Sequence, residues 1–269
     1  MAIRGQKIMK IGIVGLGYVG RAVQSSWTDT EHEVIFHDPY IEGSIPLIAL
    51  IQQQPAAIFI CVPTPSREDG SCDTSIVKET LEFIIENDFE GSIIVKSTTD
   101  PVFWKKYQGM PEVWHIPEFL TASNANEDYI NPKFIFVGGN GDSLKLISLL
   151  SASRMDTTVQ FYWTDLITAS LIKYFMNSFL ANKVIMLNQF KLIADAVGAD
   201  WADFAPMLEL DTRMGDSHLQ VPGPDGQLGY GGACFPKDVR AIIDLVKRTN
   251  TSIGILEAVD SANSLVRKE

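Results

Sequence analysis

Cys234 stands in the run Gly229-Tyr-Gly-Gly-Ala-Cys-Phe-Pro-Lys-Asp238, where the neighbouring residue types suit a nucleophile. The glycines let backbone approach a ligand closely, and Pro236 favours the first position of a helix. A thiol at a helix N-terminus beside Lys237 feels positive charge, which lowers its pKa from the free value of about 8.5 and raises the thiolate fraction. A free cysteine is more often a buried, inert apolar residue, but the glycines, the proline and the charged Lys237-Asp238 pair favour the reactive alternative. A second set lies upstream. Lys173 and Asn177 are four residues apart in a helical pattern, so they share a face. Their neighbours Leu171, Ile172, Tyr174, Phe175 and Met176 are apolar. An ammonium in that company either snorkels to solvent or is held for chemistry.

A third set opens the chain. Lys10-Ile-Gly-Ile-Val14 reads as a short apolar strand, Gly15-Leu-Gly-Tyr-Val-Gly20 follows at once, and Arg21 to Trp27 continues with helical character. That is the strand, turn and helix context of a dinucleotide fingerprint. Gly15 permits the tight turn, Gly17 the approach of a pyrophosphate to the helix N-terminus, and Gly20 close packing of helix on strand. A second apolar strand, Glu33 to His37, ends at Asp38, about 20 residues downstream, where a carboxylate can bind a ribose 2′-hydroxyl. Asp38 would repel a 2′-phosphate, so the expected cofactor is NAD rather than NADP.

The elements that must position these groups follow two patterns. Strands alternate with helices to about residue 161, as in a parallel sheet covered on both faces. Ala56 to Val62 is a continuous apolar strand running into Pro63-Thr-Pro65, and a helix is expected over Thr74 to Asn87. Ser92 to Lys96 is the next strand, with Ser97-Thr98-Thr99 at its end; Val113 to Ile116 and Phe134 to Val137 are two more. In a doubly wound sheet the carboxyl ends of the strands border the ligand crevice, so Val62, Pro63, Thr64, Ser97 and Thr98 should line it, and Pro117-Glu-Phe-Leu120 should face the same edge. After Thr164 a long helical pattern runs from Asp165 to Val197, with Gly198 as its stop. Helices are expected at Trp201 to Leu208, Pro236 to Arg248 and Ile253 to Val266. The Gly-, Pro- and Asp-rich loop from Asp211 to Tyr230 is long enough to suggest a functional segment. The fold class is therefore α/β: a Rossmann-type doubly wound parallel sheet over residues 1–161, then a mostly helical domain over 162–269.

Composition sets outer bounds. The 269 residues are 46% apolar, and no apolar run approaches the ~18 residues of a membrane span. The formal charge of −11 argues against a nucleic-acid or acidic-membrane surface. Cys61, Cys72 and Cys234 lack metal-ligand spacing and cannot all pair, as expected in a reducing cytoplasm, and the first residues lack the pattern of a secretory signal. The residues before the first strand read as an extension, or Met9 as an alternative start. No metal is expected.

Taken together, these motifs resemble the nucleotide-sugar (UDP-glucose/GDP-mannose) dehydrogenases, typified by UDP-glucose 6-dehydrogenase. The resemblance runs through Gly15-x-Gly-Tyr-Val-Gly20, Cys61-Val-Pro-Thr-Pro65, Asp73-Thr-Ser75, Lys96-Ser-Thr98, Pro117-Glu-Phe-Leu120, Lys173-x-x-x-Asn177, Phe179-Leu-Ala-x-Lys183, Asp211-x-Arg213 and Gly229 to Asp238. It implies two NAD-dependent oxidations at one site, converting a sugar's primary alcohol to a carboxylate through a Cys234 thiohemiacetal and thioester. By resemblance, Lys173 and Asn177 stabilise oxygen charge, Asp238 and Glu118 handle protons and water, and Thr98 positions that water. The implied substrate contacts are Glu118, Phe119, Leu120, Lys173, Asn177, Tyr230 and Gly231, with Arg213 reaching across from a second subunit of a homodimer. The implied cofactor set adds Tyr18, Val19 and Lys237 to Gly15, Gly17, Gly20, Asp38, Val62, Pro63, Thr64 and Ser97.

Two departures stand out. Ala122 occupies a position where the family usually has a second glutamate, and the third domain that holds the nucleotide in family members is absent from these residues. The Asp216 to Gly226 loop or a partner subunit could take that role, or the chain could be a fragment. Two alternatives remain: a single-step dehydrogenase of the β-hydroxyacid type, against which Cys234 argues, and a non-catalytic NAD or nucleotide-sugar binding protein.

Overall fold

The computed structural model describes residues 8–121, 124–251 and 254–267. Most of the N-terminal extension, Ala122, Ile253 and Glu269 lie outside the described residues. By contacts the chain divides into one unit of residues 1–65 and 73–173 and another of 66–72 and 174–269.

The first unit is built on a seven-stranded sheet among the described residues. In chain order its elements are β1 (Lys10–Val14), α1 (Tyr18–Trp27), β2 (Glu33–His37), α2 (Leu47–Gln52), β3 (Ala57–Ile60), α3 (Ser75–Glu86), β4 (Ser92–Val95) and a 3₁₀ turn at Pro101–Lys106. There follow β5 (Val113–His115), α4 (Ala125–Ile130), β6 (Ile135–Gly138), α5 (Ser143–Ser151) and β7 (Phe161–Thr164). The strand order is β2-β1-β3-β4-β5-β6-β7. The chain leaves β1 toward β2 and returns to β3 on its other side, a topological switch point at which a doubly wound sheet opens a ligand crevice.

Side chains alternate across the sheet with the strand period of two. Ile11, Ile13, Phe59 and Ile94 face a core with Val23 and Trp27 of α1 and Leu146 of α5. Val14, Ile58, Ile60, Ile93 and Val95 face the opposite core with Leu50 of α2, Leu81 of α3 and Trp104. Both faces are thus covered, as the continuous apolar strands required. One joint departs from the expected parallel sheet: β5 and β6 pair antiparallel through His115 and Gly138. An apolar run carries no strand direction, so the sequence did not reveal this reversal. β7, also not singled out in the sequence, pairs parallel with β6 from Ile135↔Phe161 to Gly138↔Thr164.

The long helix α6 spans Leu166–Val197, and the division between units falls inside it, after Lys173. The second unit continues with α7 (Trp201–Leu208), α8 (Phe235–Thr249) and α9 (Gly254–Val266). Its core joins Ala181 and Ile185 of α6 to Tyr230, Val239, Ile243 and Val259. Helix α8 starts one residue before the proline, so Pro236 falls in the first turn but not at its first position.

Gly15 and Gly20 show why the fingerprint needs glycine. Gly15 has φ +87°, and a Cβ there would lie 2.8 Å from the Cys61 carbonyl oxygen. A Cβ on Gly20 would lie 2.0 Å from the Gly15 oxygen, so the helix rests directly on the turn. Gly20→Ala should therefore cost about 1–3 kcal/mol of overpacking. Urea denaturation would register this as a lower midpoint with unchanged slope; an unchanged midpoint would mean the turn yields freely.

Candidate active site

The β1–α1 turn has the form of an anion cradle. Gly17 is the N-cap of α1 and supplies no side-chain cap, and a Cβ there would have nothing within 4 Å. The first-turn amides of a helix lack intrahelical partners and favour a negative group. Tyr18, Val19 and Gly20 form that first turn, and the Tyr18 hydroxyl donates to the Thr121 carbonyl. Asp38, at the end of β2, accepts from the Leu16 amide at 2.7 Å and the Tyr40 amide at 3.0 Å. Its carboxylate is thereby fixed beside the glycine turn. Across the switch point, Val62 and Thr64 are buried and Pro63 is exposed. The Ser97 hydroxyl donates to the Val62 carbonyl at 2.7 Å, linking the ends of β3 and β4. Open space at Gly17, a helix N-terminus behind it and an acidic residue at the second strand together fit a dinucleotide such as NAD.

The carboxyl edge of the same sheet carries a buried ionic cluster. Lys173 is 4% exposed. Its Nζ donates to the main-chain oxygen of Glu118 at 2.6 Å, lies 3.8 Å from the Glu118 carboxylate and sits 4.9 Å from the Phe119 ring centre. The other carboxylate oxygen of Glu118 accepts from the Leu120 amide at 2.7 Å. Thr98 is half-buried at the end of β4. The expected Lys173, Glu118, Phe119 and Leu120 therefore form one constellation, and Lys173 is held rather than snorkelling.

Three further members of this cluster were not assigned a role from sequence. Lys96 is buried at the end of β4; burial pulls its pKa down to about 8, against the opposing pull of Glu118. Burial pushes the Cys61 thiol up to about 12. His115 is fully buried, and burial brings its imidazole down to about 3 despite the Val95 carbonyl 3.1 Å from Nδ1. The available signal was an ionisable residue at the end of an otherwise apolar strand, in both Lys96 and His115.

In the second unit, Asp238 is 1% exposed. It accepts from Asn177 Nδ2 at 2.6 Å and from Lys237 Nζ at 2.6 Å. Burial alone pulls the Lys237 ammonium down, but the Asp238 charge and hydrogen bond, with charge on Cys72 and Cys234, bring it above the usual lysine value. Cys234 is exposed, is not in a disulfide, and is the N-cap of α8. The structure therefore brings Asn177, Asp238, Lys237 and Cys234 to the start of one helix. Arg213 stands apart: it is exposed and pairs with its neighbour Asp211 at 2.5 Å.

Residues outside the expected set hold this unit's loops. Lys183 donates to the carbonyls of Met214, at 2.9 Å, Gly215 and Ser217. Asn188 accepts from the Gly229 amide at 3.0 Å, and Asn263 accepts from the Tyr230 amide at 2.8 Å and donates back to its carbonyl at 3.1 Å. A Cβ on Gly231 would meet the Arg267 guanidinium at 2.1 Å. Among the described residues no group of three or more His, Cys, Asp or Glu could hold a metal ion, and no helix is long and apolar enough to cross a membrane.

Comparison with known proteins adds the following. The model of the UDP-glucose/GDP-mannose dehydrogenase family's NAD binding domain matches residues 49–151, and that of the family's central domain matches residues 167–265. A UDP-glucose 6-dehydrogenase of Rickettsia felis is 35% identical over 220 residues, 78% of this chain and 48% of the relative. The chain thus spans about half the length of that curated relative. A UDP-glucose dehydrogenase structure from Pyrobaculum islandicum superposes with a TM-score of 0.81 at 25% identity, covering 98% of this chain and 70% of that one. The fold alone is shared with a Mycobacterium tuberculosis 3-hydroxyisobutyrate dehydrogenase, at TM-score 0.75 and 15% identity over 95% of this chain and 92% of that one.

The buried imidazole sets a pH dependence. The unfolded chain takes up a proton on His115 below about pH 6.5, whereas the folded one refuses it down to about 3. Stability is therefore unaffected by this group above pH 6.5 and falls as pH drops through that window, by on the order of 5 kcal/mol when complete. Denaturant titrations at pH 7 and pH 4 should show a smaller acid loss in His115→Gln than in the wild type. Equal losses would mean that His115 is protonated in the fold.

Proposed function

The chain belongs to the UDP-glucose/GDP-mannose dehydrogenase family, and from that premise we propose that it oxidises the C6 alcohol of a nucleotide sugar, UDP-glucose foremost, to the uronic acid. NAD, when bound, accepts a hydride in each of two successive oxidations. The chain's own residues supply the rest. Lys173 and Asn177 attract the sugar oxygen as its proton passes to a carboxylate, Glu118 or Asp238. The Cys234 thiolate adds to the aldehyde carbon, forming a C–S bond and an oxyanion that is protonated to a thiohemiacetal. The second oxidation leaves a thioester. Water activated by a carboxylate, Glu118 or Asp238, attacks the thioester carbonyl with Thr98 as positioner, the C–S bond breaks, and the acid and free thiolate are released.

What supports this most is the position of Cys234. It is an exposed thiol capping a fifteen-residue helix, followed by a lysine whose charge it feels. A helix N-terminus and a neighbouring ammonium favour thiolate over thiol. Tyr230 and Gly231, held through Asn263 and packed under Arg267, would offer backbone to the sugar or phosphate, and the Lys183-anchored Asp216 to Gly226 loop would hold part of the nucleotide.

The proposed assembly is a homodimer in which Arg213 reaches the partner's substrate. An apolar stripe along α6 supports it: Phe175, Phe179, Met186, Phe190, Ile193 and Val197 recur at helical spacing and are 45–72% exposed. The proposed setting is the cytoplasm, in keeping with three cysteines that form no disulfide.

Spectrophotometry of purified protein with NAD and UDP-glucose, then other nucleotide sugars, tests the activity. Two NADH should form per sugar, and Cys234→Ser should lower kcat by at least about 10³-fold or stop after one. One NADH per sugar in the wild type would indicate a single-step dehydrogenase, and none, with NAD still bound, a binding protein.

A further inference from the structure

A chain of hydrogen bonds runs from the glycine turn to Glu118, wholly within the first unit. Tyr18 opens α1, in the turn with the form of an anion cradle, and its hydroxyl donates to the Thr121 carbonyl, 103 positions further along the sequence. Thr121 is held from the other side as well. Its amide and its hydroxyl both donate to one carboxylate oxygen of Asp128 on α4, at 2.8 Å and 2.6 Å, and its carbonyl also accepts from the Asn124 amide at 3.2 Å. Asp128 is itself well anchored, because the next residue, Tyr129, is buried in the core that includes Val23 and Trp27 of α1.

The far end of this chain bears on the chemistry. The residue before Thr121 is Leu120, whose amide donates to the Glu118 carboxylate at 2.7 Å, while Lys173 Nζ bonds the Glu118 main-chain oxygen at 2.6 Å and lies 3.8 Å from its carboxylate. A shift of Thr121 therefore moves Leu120 and re-aims Glu118. Packing does not explain the contact at the near end, since Tyr18 is 46% exposed and Thr121 is exposed. A phenylalanine would fill the same space, so what the tyrosine adds is its hydroxyl and the fixed distance that hydroxyl imposes.

We propose that Tyr18 is a positioning residue for Glu118: acting through Thr121 and Leu120, it fixes the carboxylate relative to both Lys173 and the cofactor turn. This rests on the dehydrogenase reading, in which proton removal and hydride departure occur on one sugar carbon and its oxygen. Small errors in such placement are costly to rate.

Steady-state kinetics of wild type, Tyr18→Phe, Asp128→Ala and the double variant test this, with thermal melting as a check on folding. Tyr18→Phe keeps the ring and the backbone of the cofactor turn. It should lower kcat about 3–10-fold, the worth of one hydrogen bond, while KM for NAD and for the sugar stays within about twofold, as for an interaction that matters only in the transition state. Asp128→Ala should behave alike. Because both act through Thr121, the double variant should lose much less than the product of the two single losses. Losses that multiply, or a Tyr18→Phe enzyme with wild-type kcat, overturn the proposal. A second readout, amide hydrogen exchange followed by NMR, needs no turnover. The Leu120 amide should exchange at least about tenfold faster in Tyr18→Phe and in Asp128→Ala, with the amides of β1 unchanged. Unchanged Leu120 protection in both variants refutes the coupling, whereas faster Leu120 exchange together with a wild type that turns over no sugar refutes only the dehydrogenase reading.

Discussion

A carboxylate almost wholly removed from water has to be compensated, and in the helical unit that carboxylate is Asp238, 1% exposed. An uncompensated buried charge costs several kcal/mol, so the surrounding residues are constrained by it. Asn177 on α6 donates to one of its oxygens and Lys237 to the other. Its own amide closes the first helical hydrogen bond, to the Cys234 carbonyl at 2.9 Å. The first turn of α8 is thereby tied to α6, and Cys234 is left at the helix end with its thiol exposed. The placement of Cys234 thus follows from where a buried charge finds its partners.

The sheet unit solves the same problem with opposite sign. There Glu118 lies 3.8 Å from the Lys173 ammonium, a second lysine, Lys96, is buried nearby, and the other ionisable neighbours are kept neutral by burial. Low dielectric strengthens each of these interactions. A site that must meet transient negative charge on oxygen benefits from a cation that is fixed in place but incompletely paired. Lys173 is so placed, because its close contact is to a carbonyl rather than a carboxylate.

Much of this was legible in the sequence wherever a residue type has one mechanical use. Gly15 and Gly20 announced the turn because side chains there would collide with Cys61 and Gly15 backbone, and alternating apolar strands with Gly-rich turns announced the sheet. Lys173 and Asn177, four apart, announced a shared helix. The reversal of β6 was hidden because an apolar run has no direction. Lys96 and His115 read as parts of buried strands, but the pattern says nothing of which groups compensate a charge placed there. Asn188 and Asn263 looked like ordinary helix residues; their work is to satisfy backbone of Gly229 and Tyr230, 41 and 33 positions away in sequence. Such long-range satisfaction of polar groups is set by tertiary structure alone.

In the proposed reaction Cys234 carries the sugar covalently between two oxidations. Acid-quenching the protein within one turnover of NAD and UDP-glucose, then measuring intact mass and mapping the adduct by peptide sequencing, tests it directly. The expected result is a mass increase corresponding to the thioester, located on Cys234. Completed four-electron oxidation with Cys234 unmodified throughout the turnover, or undiminished in Cys234→Ser, would contradict it.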